Sequence, residues 1–132
     1  MKKHILFILS IFLYTVNFAQ TPPEAFKYQS IVRDASGNML QNQPVGFQFT
    51  IIQGSPTGNI VYQEVYAATT NSYGLVNFDI GNGSVVSGSF SAIDWSQGPY
   101  FVQTGLDVTG ATNYSIMSTN ELMSVPYALY AK

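Results

Sequence analysis

Val45-Gly-Phe-Gln-Phe-Thr-Ile51 decides the class of fold. In an extended chain Val45, Phe47, Phe49 and Ile51 fall on one side, and Gly46, Gln48 and Thr50 on the other. One apolar face against one mostly polar face, with a period of two, is the pattern of a strand on a packed sheet. The same alternation returns at Val76, Phe78 and Ile80, set against Asn77 and Asp79, and at Tyr100, Val102, Thr104 and Leu106, set against Phe101, Gln103 and Gly105. Phe26–Val32 and Ile60–Thr70 add two runs rich in β-branched and aromatic residues, which suit a pleated surface.

Polar, glycine-bearing turns separate these runs: Asp34–Asn38, Gly54–Asn59, Asn71–Gly74, a Gly/Ser-rich loop from Gly81 to Ser89, and Thr109–Asn113. Strands punctuated in this way predict an all-β fold, a single antiparallel β-sandwich of the immunoglobulin-like kind. One short helical turn is expected at Ser91–Trp95, capped by Ser89 or Ser91. The last stretch reads as a strand up to Val125, followed at Tyr127 by the start of a short helix.

Composition narrows the function. The 132 residues are 46% hydrophobic and only 9% charged, with 5 Lys+Arg, 7 Asp+Glu, 1 His and no Cys. Disorder requires the opposite balance of apolar and charged residues. A sequence pI of about 5.0 excludes a basic nucleic-acid binder, and the absence of cysteine excludes disulfide scaffolds and thiolate metal sites.

Residues 1–19 read as a secretory signal peptide: Lys2, Lys3 and His4 form a basic start, Ile5–Val16 an apolar run, and Ala19 a small residue before a cut at Gln20. The apolar run is shorter than the ~20 residues a membrane span needs, so no membrane span is expected after cleavage. The sandwich domain is assigned to residues 20–121, and 122–132 to a junction with a further downstream module. After cleavage three basic residues face seven acidic ones, a formal charge of −4, and His4 leaves with the signal.

Three motifs carry a resemblance: Phe26-Lys-Tyr-Gln-Ser-Ile-Val-Arg-Asp-Ala-Ser-Gly-Asn38, Ile93-Asp-Trp-Ser-Gln-Gly-Pro-Tyr-Phe101 and Ser124-Val-Pro-Tyr-Ala-Leu-Tyr-Ala-Lys132. Together they resemble the N-terminal head domain of secreted bacterial surface proteins with fibre-like architecture. In those proteins the SVPYA segment leads into a coiled coil, collagen-like repeats or a tail-fibre module. The resemblance implies a non-enzymatic structural or adhesion module of the cell surface or extracellular space, with a periplasmic location as the alternative. It implies a protein partner, either a second copy or the downstream fibre, and makes Leu122, Val125, Pro126, Tyr127, Leu129 and Tyr130 the junction or oligomerisation residues. A looser similarity, through Ile31–Val45 and Thr69–Ile80, links the chain to prealbumin-like and carboxypeptidase-regulatory-like sandwiches, and concerns fold alone.

Candidate chemistry is sparse. Nucleophilic catalysis needs a nucleophile and a base, and residues 20–132 hold no histidine and no G-x-S-x-G elbow. Asp79, Asp94 and Asp107 are the carboxylates available for acid–base work on a glycoside. Asp79-Ile-Gly-Asn-Gly83 faintly resembles a calcium loop but supplies one carboxylate; no cofactor and no metal are expected. Tyr62 and Tyr66 share one face of a strand with Glu64 between them, and Val61 and Val65 take the other. If the valines point inward, two exposed tyrosines flank a carboxylate. With Trp95 they would form a carbohydrate-binding surface, the alternative to a structural role. Mass spectrometry of the exported protein should find Gln20 as its first residue; an intact Met1–Ala19 segment on the exported chain would refute the cleavage.

Overall fold

The computed structural model describes residues 25–123. Seven strands run in the order β1 (Phe26–Ile31), β2 (Pro44–Gln53), β3 (Asn59–Thr69), β4 (Leu75–Ile80), β5 (Ser84–Gly88), β6 (Tyr100–Asp107) and β7 (Ser115–Glu121). They form two antiparallel sheets, one of β1 and β4 and one with the order β5-β3-β2-β6-β7. The fold is all-β and sandwich-like, as the alternation predicts.

The core is the space between the sheets. Val45, Phe47, Phe49 and Ile51 line it from β2, Val76, Phe78 and Ile80 from β4, and Tyr100, Val102 and Leu106 from β6. Aromatic rings stitch the two layers together: Phe78 lies 4.8 Å from Phe47 and 5.2 Å from Phe49, and Tyr28 meets Phe49 edge-on at 5.0 Å. Such pairs add to the burial of their area.

The other face of the larger sheet is a polar layer. Thr50 stands in register between Gln63 on β3 and Gln103 on β6, and Gln103 stands opposite Thr119 on β7. Gln63 Nε2 donates to Thr50 Oγ1 at 2.9 Å, and Gln103 Nε2 donates to Thr119 Oγ1 at 3.2 Å. Cross-strand amide–hydroxyl pairs of this kind fix register without charge. Tyr114 closes over Gly46 and Gly105, where its ring and Cβ lie 3.3 and 3.0 Å from the place a glycine Cβ would occupy.

Three expectations change. The Gly/Ser-rich loop after Gly81 is instead strand β5, paired with β3 and exposed along its whole length. Ser and Gly at a sheet edge meet no packing demand, so composition conceals the strand. The single helical turn becomes two 3-10 turns, Phe90–Ala92 and Trp95–Gln97. Ser89 makes no side-chain cap, while Asp94 caps the second turn by accepting from the Ser96 N–H. Leu122, expected in the junction, is half-buried against the core, and its N–H donates to the Tyr100 carbonyl at 2.8 Å. Val125, Pro126, Tyr127, Leu129 and Tyr130, the expected helix start and the signal segment lie outside the described residues.

Phe49 is fully buried and touches Tyr28, Phe47, Tyr66 and Phe78. Phe49→Ala should cost about 3–5 kcal/mol in urea unfolding, whereas Tyr73→Ala, at a site 72% exposed, should cost less than about 0.5 kcal/mol. Equal losses would contradict this placement of the core.

Candidate functional site

The β2–β3 hairpin sets which face of β3 is inside. Its register places Phe47 opposite Tyr66, Phe49 opposite Glu64 and Ile51 opposite Tyr62. Residues directly opposite share a face, so the inward phenylalanines carry Tyr62, Glu64 and Tyr66 into the core. Tyr62 and Glu64 are fully buried and Tyr66 is half-buried. The two tyrosines therefore do not flank a carboxylate on the surface, and they offer no platform for stacking a sugar. A bulge reinforces this arrangement. Pairing steps from Ile51/Tyr62 to Ile52/Ile60 and leaves Val61 as the extra residue, half-buried against the core edge.

Glu64 is a buried carboxylate with a complete set of donors. Tyr62 Oη donates to its Oε2 at 2.7 Å. The Gly83 N–H donates to the same oxygen at 2.9 Å, and the Gly81 N–H lies 3.0 and 3.1 Å from the two oxygens. Unpaired burial of a carboxylate would be prohibitive; charge-assisted hydrogen bonds offset that cost. The Asp79-Ile-Gly-Asn-Gly83 turn is thus a backbone nest around an anion, the reverse of the faint calcium loop its sequence resembles. Tyr66 Oη donates to the Asp79 carbonyl in the same turn.

The two glycines are required for different reasons. Gly81 has a φ of 115°, which favours glycine. A Cβ on Gly83 would lie 2.7 Å from a Tyr66 ring carbon and 3.0 Å from the Glu64 carboxyl carbon. Burial first, and the adjacent Glu64 second, hold the Tyr62 and Tyr66 hydroxyls well above the ordinary phenol value.

Trp95 sits apart from this network, at the end of the sandwich. It is half-buried, edge-on to Phe90 at 5.6 Å and to Tyr100 at 5.1 Å. Tyr100 Oη donates to the Asp94 carbonyl at 2.6 Å and accepts from Gln53 Nε2 at 3.3 Å. Beside these groups lies a shallow cleft of about 250 Å³, lined among others by Val61, Ile93 and Asp94.

Three of the remaining carboxylates serve the loops. Asp34 accepts from the Ser36 and Asn38 N–H groups, Asp94 from Ser96, and Asp107 from Thr109 and Asn113. For Asp34 the Asn38 N–H is the main cause of a carboxyl held below the usual carboxylate range; for Asp94 it is Ser96, and for Asp107 it is Thr109. A glycosidase acid needs the opposite displacement. Asp79 instead pairs with Lys27 at 2.8 Å on the exposed side of the smaller sheet. Among the described residues no three His, Cys, Asp or Glu side chains gather to hold a metal.

Residues 27–120 match the model of a family described as Domain of unknown function (DUF8740). The chain belongs to this family. No curated protein and no solved structure matches it.

In this DUF8740 chain, Glu64→Gln would turn an amide N–H toward groups that are already donors. The expected loss is roughly 1–3 kcal/mol in urea unfolding; an unchanged midpoint would show that the nest does not depend on the carboxylate. The raised phenols set an alkaline limit. The fold favours the protonated form, so its stabilisation is complete below the unfolded phenol value near 10 and is withdrawn as pH rises above it. Unfolding midpoints should fall between about pH 10 and 12, and Tyr66→Phe should flatten that fall.

Proposed function

We propose that this chain is a non-enzymatic structural or interaction module, secreted, and the head or cap of a fibre-like protein of the cell surface or extracellular space. The observation that carries this reading is where the carboxylates go. Asp34, Glu64, Asp94 and Asp107 accept hydrogen bonds from the backbone, and Asp79 is tied to Lys27. Groups held in this way build loops and turns. No histidine or cysteine follows Ala19, and the hydroxyl–carboxylate pairs of Ser96 with Asp94 and Thr109 with Asp107 belong to the same loop hydrogen bonds.

The resemblance of Ser124–Lys132 to the SVPYA segment supports the second half of the reading. Leu122 anchors the end of β7 in the core beside Tyr100. A fixed end to β7 is what a head joined to a stalk requires. A prealbumin-like arrangement of the two sheets is part of the same proposal.

Immunogold labelling of intact source cells with an antibody against residues 20–132 tests it. Label on surface filaments or appendages is expected. Label confined to the periplasm or cytoplasm would overturn the surface assignment. A hydrolytic activity lost on Asp94→Asn would overturn the non-enzymatic one.

A further inference from the structure

Strand β5 ends the five-stranded sheet and pairs with β3 alone. All five of its residues are exposed, with Val85 at 58% and Val86 at 55%. A free edge presents unpaired backbone N–H and C=O groups, and proteins commonly blunt it with charge, proline, a bulge or a very short strand. Four described strands have such an edge. Lys27 lies on β1, Asp79 on β4 and Glu121 on β7. Ser84-Val-Val-Ser-Gly88 carries neither a charge nor a proline.

The sequence of this edge also reads the same in both directions, Ser84-Val85-Val86-Ser87. Antiparallel pairing with its own copy, about a two-fold axis between Val85 and Val86, would set serine opposite serine and valine opposite valine. Self-complementarity of that kind is what an isologous interface demands. We propose that β5 is a homodimer edge, pairing antiparallel with β5 of a second copy so that one sheet runs through both molecules.

Two observations favour a second copy as the occupant. The described residues hold two bases, Lys27 and Arg33, against six acids, so contact between two copies is least opposed at an edge that carries no charge. Glu64, the acid nearest β5 in register, is fully buried and covered by Gly81 and Gly83. Against these, the bulge between Gln63 and Glu64 leaves Val86 outside the β3 ladder, since Gln63 faces Ser87 and Glu64 faces Val85, and so partly guards the edge and keeps the pairing short. A contact four residues long falls short of the ~1,200 Å² of a standard interface, which places the dimer in the weak, concentration-dependent class. This inference stands apart from the fibre-head reading, because it uses none of the junction residues.

Sedimentation equilibrium of the purified protein should show a reversible monomer–dimer equilibrium. Val86→Lys, which sets ammonium groups near the axis, should weaken it by ~10-fold or more. Ile116→Lys, on the opposite edge, should leave it intact. A dilution series of amide spectra on the unaltered protein gives the same answer without a variant. Shifts should concentrate in Ser84–Ser87 and the facing part of β3. The proposal is overturned by a protein that stays monomeric at about 1 mM, by a dimer indifferent to Val86→Lys, or by dilution shifts that map to β7.

Discussion

The Glu64 carboxylate sits where the two sheets are joined. It projects from β3 in the larger sheet and holds the N–H groups of Gly81 and Gly83, the turn by which the chain leaves β4 in the smaller sheet and enters β5 in the larger one. A buried charge is costly, and its cost falls steeply as donors surround it. Only the closed turn supplies all of those donors. The need to satisfy one carboxylate therefore fixes the path of the crossover. Tyr62 donates to it from within β3, and Tyr66 clasps the Asp79 carbonyl on the same turn.

The rest of the molecule follows from that junction. With the crossover held, Phe78 is presented to Phe47, Phe49 and Tyr66 at ring distances of about 5 Å, and the layers close on an aromatic centre. Charge is then spent at the ends of strands. Asp34, Asp94 and Asp107 each satisfy N–H groups of a neighbouring turn. This is why so few charged residues suffice. The polar work of the outer sheet face is done instead by amides and hydroxyls, Gln63 on Thr50 and Gln103 on Thr119.

Much of this was legible in the residues themselves. The alternation at Val45–Ile51, Val76–Ile80 and Tyr100–Leu106 marks three core strands, and their inward faces are the apolar ones. Trp95, which the sequence offers to a sugar-binding surface, packs on Phe90 and Tyr100 at the end of the sandwich. The face of β3 was not legible from β3 alone. Valines on one side and tyrosines on the other differ little in apolar character, and a glutamate argues for solvent. The missing signal lay in the partner strand, since counting back across the Gly54–Asn59 turn pairs Glu64 with Phe49. The anion-binding role of Asp79–Gly83 was hidden for the same reason, because its ligand lies elsewhere in the chain. β5 escaped notice because an exposed edge needs no apolar face.

The smaller sheet has a consequence in time. Strand β1 pairs only with β4, Phe26 against Ile80 and Ile31 against Leu75, and the whole β2–β3 hairpin lies between them in the chain. A chain that emerges N-terminus first presents β1 well before its mate, and closing so long a loop carries an entropic cost that a tight hairpin escapes. The β2–β3 hairpin, bridged by a short turn, can form as soon as it emerges. β1 must wait for β4, so the chain stays open at its first strand until Leu75–Ile80 is in place, and only then does the clasp close the sandwich.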